Sequence, residues 1–223
     1  MIKDIRLGVS IIKYGLNFYV SISVVFFLLG LLALNMILFP TPLFATIFIP
    51  LVMMGIVQQV YTTTVSTMVQ SSPYKKKLRT TVPTYMAMIE MIIGNTLSLV
   101  LHWISYLRTK DNPSIVLEYD TKLYANTILI CAVLMVIVLV YTVLGNVFFG
   151  PCVIIAIGGW IGLRWLIRNM EFVGVNISIE VAVVLSYIVV LIGTGILYLV
   201  NNMIYKYEYA EMSFRGFIKR ASK

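Results

Sequence analysis

One histidine and two cysteines among 223 residues leave this chain few groups for acid–base, nucleophilic or metal chemistry. His102 stands beside Trp103 and Tyr106, as in an aromatic belt at a membrane surface, with no second ligand nearby to share a metal. Cys131 and Cys152 are spaced like no metal or redox motif, and buried free cysteines behave as small apolar residues. Neither an HExxH zinc motif nor a GxxxxGK(S/T) phosphate loop is present. No catalytic residue, metal or cofactor is therefore assigned to this chain. If it moves a solute actively, a separate subunit or an ion gradient has to supply the energy.

A different chemistry is suggested by polar side chains in apolar surroundings. Gln58, Thr62, Ser66 and Gln70 recur every four residues and form one helical ridge, with Gln59, Thr63 and Thr67 on the adjacent one. Lipid tolerates such donors and acceptors only at a cost, so these ridges should face protein or a water-filled passage. Glu90, the one acid deep in an apolar stretch, is a candidate for the same passage. Hydrogen bonding between helices is the plainer alternative for all of them, as is a helix end that projects into water.

These residues must be positioned by helices that cross a bilayer. The chain is 60% hydrophobic and 12% charged, about half the charge of a typical soluble domain, where roughly 25% is usual. A crossing helix needs about 20 mostly apolar residues. Six stretches qualify, at 18–39, 43–69, 84–107, 123–149, 151–170 and 181–205. The expected fold is an all-α integral membrane protein: one domain with six transmembrane helices and an N-terminal amphipathic interface helix. Pro40 and Pro42 bracket a tight hairpin after the first span, and Pro50 should kink the second. Arg164 makes the fifth stretch the least apolar, so that segment either spans or dips into the outer leaflet as a re-entrant element. Gly193 and Gly195 give the last span a small-residue face, and no cleavable signal peptide is evident.

Charge sets the orientation. Of the 17 basic residues, 12 fall at the N-terminus, between the second and third spans, or after the last, all on one side when there are six spans. The positive-inside bias then places both termini in the cytoplasm of a plasma-membrane protein. A net charge of +8 is explained this way without a nucleic-acid partner. Within residues 1–16, Ile2, Ile5, Val9, Ile12 and Leu16 form an apolar stripe, with Lys3, Asp4, Arg6, Ser10 and Lys13 on a basic polar face, suited to the headgroup region. The cytoplasmic segment 70–83 carries Ser72, Pro73, Tyr74, Lys75, Lys76, Lys77 and Arg79. Ser72 can cap a short helix, Pro73–Thr81, that begins with proline, and Pro83 marks the turn into the third span. A positively charged anchor is the bland reading of that segment; a lever pushed by a soluble partner is the sharper one. On the far side, Arg108–Tyr124 forms the longest loop, and Arg168 and Glu171 can meet across one helical turn.

This layout resembles the permease subunit of an ATP-binding-cassette exporter of the type-2 class. The resemblance covers almost the whole chain and rests on layout more than on residue identities: the interface helix, six spans with both ends cytoplasmic, the short first hairpin, and Ser71-Ser72-Pro73-Tyr74-Lys75-Lys76-Lys77 in the place of that family's coupling helix. It implies a separate ATPase subunit carrying ATP and magnesium, and a second permease copy or a related permease. It also implies alternating access, with Gln58, Gln59, Thr62, Thr63, Ser66, Thr67, Gln70 and Glu90 along the passage and Arg164, Arg168 and Glu171 at an outer gate. Peptides, lipids and drug-like molecules all suit such a passage. Two rivals remain: a substrate-binding membrane subunit of a vitamin-type importer, and a structural or assembly protein without transport activity. An intramembrane enzyme ranks last.

Overall fold

The computed structural model describes residues 2–14, 72–110, 121–148 and 177–207. It also describes the helical positions Phe26, Gly30, Ile49, Pro50, Val52, Gly55, Gln58, Val60, Tyr61 and Cys152. Among these residues all regular structure is helical: α1 (Ile2–Tyr14), α2 (Lys75–Arg79), α3 (Thr81–Lys110), α4 (Thr121–Gly145) and α5 (Ile179–Ile204). Three helices, Lys75–Leu107, Tyr124–Gly145 and Ile179–Ile204, are long and apolar enough to cross a membrane. Their outward faces carry Ile93, Ile137, Leu191, Leu199 and Met203, each more than half exposed. Side chains of that size in contiguous rows would drive aggregation in water, whereas lipid accepts them at no cost. This is a membrane protein.

The third, fourth and sixth expected spans correspond to α3, α4 and α5. Helix α3 begins at Thr81, so Pro83 lies inside its first turn instead of marking its start. A proline there forfeits only an N–H that has no partner within α3. The preceding short helix is smaller than expected, Lys75–Arg79 in place of Pro73–Thr81. Ser72 Oγ accepts from the Tyr74 amide at 3.1 Å, holding Pro73 and Tyr74 in a turn ahead of the helix. Thr80 alone separates α2 from α3, and the bonds Thr80 N to Lys76 O and Thr84 N to Thr80 O bridge the break. Helix α4 stops at Gly145, four residues before the expected end of its span, and Asn146 and Val147 form a turn. At α5 the Ser178 side chain accepts from Val181 N at the first turn. The expected spans 18–39, 43–69 and 151–170 lie outside the described residues, apart from the single positions named above.

Helices α3, α4 and α5 pack against one another, and α1 and α2 lie on α3. One core cluster joins Ala87 and Met91 of α3, Leu139 and Val143 of α4, Val190 and Leu197 of α5, and Tyr61. A second joins Ile49, Val52, Cys131, Ala132 and Met135. Helices α4 and α5 come close at Gly193, where an added Cβ would collide with Val136. Gly195, on the other side of α5, has nothing within 4 Å. The expected small-residue face is therefore divided, with only Gly193 at a helix seam.

Polar pairs fix the directions of the helices. Thr84 meets Asn201 and Asn95 meets Ser186, so α3 and α5 are antiparallel. Helix α4 starts beside the end of α3, with Tyr124 edge-on to Tyr106, and the chain just past its end brings Phe148 against Tyr207 beyond the end of α5. Helices α4 and α5 therefore run parallel.

Candidate functional site

The sequence-predicted coupling residues gather where α1, α2, the start of α3 and the end of α5 converge. Lys77 Nζ lies 2.6 Å from Asp4 Oδ1 of α1. The hydrogen bond from that ammonium, aided by its charge, holds the Asp4 carboxyl below its ordinary value of 3.8 against partial burial. Arg79 is buried and donates from its guanidinium to the Tyr207 carbonyl at 2.8 Å. Lys76 Nζ stands 5.5 Å from the centre of the Tyr205 ring, within cation–π range. Pro73, Tyr74, Lys76 and Lys77 are exposed, Tyr74 at 66%. The basic segment thus has an inner side tied to two helices and an outer side open to solvent.

Helix α1 is seated in a way its pattern did not foretell. Asp4 and Gly8, one turn apart, face the protein, and an added Cβ at Gly8 would come within 2.6 Å of Met86. Val9, in the apolar stripe, is 53% exposed, and Lys3, Arg6, Ser10 and Lys13 are exposed as well. Val9 is thus free to meet something other than this chain, and Ile5 is half-buried.

A thread of hydrogen bonds runs from this junction into the apolar core. Tyr61 Oη donates to Asn201 Oδ1 at 2.7 Å, and Asn201 Nδ2 donates to Thr84 Oγ1 at 3.0 Å. Thr84 Oγ1 donates to the Thr80 carbonyl, and Thr80 Oγ1 to the Lys76 carbonyl, both at 2.8 Å. Five residues, from Tyr61 to the Lys76 backbone of α2, are linked by these four bonds. Beside it Gln58 Nε2 donates to Asn146 Oδ1 at 2.9 Å. Farther along, Asn95 Nδ2 donates to Ser186 Oγ at 2.9 Å. Glu90 is buried in α3, and among the described residues neither carboxyl oxygen has a hydrogen-bond partner.

Comparison with protein families, with curated proteins and with solved structures finds no match. The functional reading therefore rests on this chain's own residues.

Of the passage residues, Gln58 and Glu90 are described. Gln58 is engaged between helices, whereas Glu90 is buried and unpaired. Gln59, Thr62, Thr63, Ser66, Thr67 and Gln70 lie outside the described residues, as do Arg164, Arg168 and Glu171 of the expected outer gate. Sequence reasoning missed Thr84, Asn95, Asn146, Ser186 and Asn201. The asparagines carried a usable signal, since an amide in an apolar span has to find a partner. Among the described residues no three His, Cys, Asp or Glu side chains cluster as a metal site, and both cysteines are free and buried. The thread joins helices to a surface segment, an arrangement suited to transmitting displacement.

Proposed function

We propose that this chain is the permease subunit of an ATP-binding-cassette exporter of the type-2 class, with ATP and magnesium held by a separate ATPase subunit. The observation that carries the reading is the two-sided basic segment Ser72–Arg79. Its outer side, Pro73, Tyr74 and Lys76, offers a charged and aromatic contact for a soluble partner. Its inner side is tied to α1 through Lys77 and to the end of α5 through Arg79, and α2 continues into α3 with one residue between. A push on Tyr74 and Lys76 would therefore move α1, α3 and α5 together. Alternating access follows, with the substrate, a peptide, lipid or drug-like molecule, passing along the polar side chains near a seam with a second permease copy.

Six crossings are part of this proposal. The parallel run of α4 and α5 supports a fifth crossing, because residues 149–176 must carry the chain from one end of the bundle back to the other. The exposed basic and apolar sides of α1 support its place at the membrane interface, and both termini are assigned to the cytoplasm of a plasma-membrane protein. The test is purification of native complexes in mild detergent, followed by ATP hydrolysis in lipid nanodiscs. An ATP-binding-cassette ATPase should co-purify. The combined change Tyr74→Ala, Lys75→Gln and Lys76→Gln should abolish substrate-stimulated hydrolysis without dispersing α3–α5. Wild-type stimulation in that variant, or a lone stable monomer without ATPase, would overturn the proposal.

One observation favours the importer-subunit reading, a cavity at the end of the bundle opposite α2. That reading requires a small molecule to be retained through purification.

A further inference from the structure

Helix α5 carries one strip that does not suit lipid. Glu180, Tyr187, Thr194, Tyr198 and Tyr205 follow one another at intervals of seven, seven, four and seven residues. At about 3.6 residues per turn those intervals draw a narrow line along the helix, from its first turn to its cap. Farther round, Val184, Ile188, Ile192 and Leu199 are all exposed and form an aliphatic side, with Leu191 between the two. Helix α5 has 26 residues, of which about 20 suffice to cross the hydrocarbon. Tyr187, Thr194 and Tyr198 therefore lie at hydrocarbon depth, with Glu180 and Tyr205 at its edges.

The hydroxyls of this strip are not hidden inside the bundle. Tyr198 is 47% exposed, and among the described residues its hydroxyl has no hydrogen-bond partner. Long side chains lean back toward the N-terminus of their helix, so Tyr198 leans toward the middle of the span and away from the α2 end. Thr96, halfway along α3, is exposed as well. It donates to the Ile92 carbonyl at 2.8 Å and receives the Tyr187 hydroxyl at 3.0 Å. This pair sits on the outer side of the α3–α5 seam, beside the buried bond between Asn95 and Ser186. Hydrocarbon offers such groups no partner, whereas water does.

We propose that the Tyr187–Thr194–Tyr198 strip and Thr96 line a hydrated path across the bilayer that takes solutes with uncharged hydrogen-bonding groups. Between its two ends the strip holds hydroxyls and no charge, so a hydroxyl- or amide-bearing solute finds donors and acceptors there and an ion finds no counter-charge. That the path serves export rests on the exporter reading; that it is wet does not. The full chain, with Cys131→Ala and Cys152→Ala, would be spin-labelled singly at Thr96→Cys, Thr194→Cys and Tyr198→Cys in phosphatidylcholine nanodiscs. Ile188→Cys and Ile192→Cys serve for comparison. Power-saturation resonance would count collisions with oxygen, which concentrates in lipid, and with uncharged nickel ethylenediaminediacetate, which stays in water. The nickel-to-oxygen ratio should be several-fold higher on the strip than at Ile188 and Ile192. Trianionic chromium oxalate, scaled to its value in bulk water, should reach the strip several-fold less than the nickel chelate. Equal ratios at all five positions would mean lipid on the strip and would overturn the proposal. Low collisions with both oxygen and nickel on the strip would overturn it too, since a second copy or another part of this chain would then cover the hydroxyls. Equal access for chromium oxalate would overturn the uncharged class. If one labelled variant does not fold, the other strip positions decide. Failure to co-purify an ATPase leaves these collision ratios unchanged, so the two proposals fail separately.

Discussion

Asn201 carries more of the junction than any residue singled out from sequence, because both ends of its amide are used. Its oxygen takes the Tyr61 hydroxyl and its nitrogen serves Thr84. Asn201→Leu removes both bonds and should cost about 1–2 kcal/mol, at the upper end of measured interhelical hydrogen bonds in membranes. Reversible unfolding in mixed detergent micelles would measure this, and Tyr61→Phe should cost less. The sum of the two single changes should exceed the double variant, since they share a bond. Asp4 gives a second expectation. Its carboxyl is held below the ordinary carboxylate value, mainly by the hydrogen bond from Lys77. Stabilisation from a lowered pKa is complete above the undocked group's value and is lost as pH falls through the docked one. The seating of α1 should thus be constant down to about pH 5 and loosen below about pH 4. A spin label at Ser10→Cys would report it, and Lys77→Gln should flatten the response. At this scale the sequence named the basic residues but not their division of labour. Lys77 and Arg79 look alike beside Lys75 and Lys76, and only the places of Asp4 and Tyr207 turn two of the four inward. Those partners are 73 and 128 positions away, respectively, beyond any local pattern.

At the level of helices, close approach depends on two glycines. Gly193→Val should force α5 off Val136, lowering stability by about 1–3 kcal/mol as overpacking does, whereas Gly195→Val should be nearly neutral. Thermal unfolding of the two variants in one detergent makes the comparison. Gly8→Leu should unseat α1 from Met86 and raise proteolysis within residues 2–14, leaving α3–α5 intact. The long helices were legible because about 20 apolar residues in a row permit little else. Their ends were harder to read. Pro83 reads as a boundary, yet a proline is equally at home in a first turn, and hydropathy does not separate the two. Residues Ile2–Tyr14 do form a helix, but periodicity finds the greasiest side and cannot say that a glycine and an aspartate form the seat.

For the molecule as a whole, the decisive geometry is the parallel run of α4 and α5. With α3 antiparallel to both, single cysteines at Ser178 and Tyr207 should react with impermeant reagents from opposite sides of sealed vesicles, and Ser72 should react on the same side as Tyr207. Labelling of Ser178 and Tyr207 from one side would contradict a membrane-crossing α5. Charge bias pointed to six crossings by counting lysines and arginines, an argument independent of packing. It did not indicate that α5 would hold partners for both of the other long helices. That placement bears on biogenesis. Helix α5 is the last of the three to leave the ribosome, and it brings Asn201 for Thr84, Ser186 for Asn95 and the glycine that admits Val136. Until it enters the bilayer, α3 must wait without the α5 partners of Asn95 and Thr84 and α4 without the packing on Val136, so a chain truncated before residue 179 would present quality-control proteases with a seam that the finished protein hides.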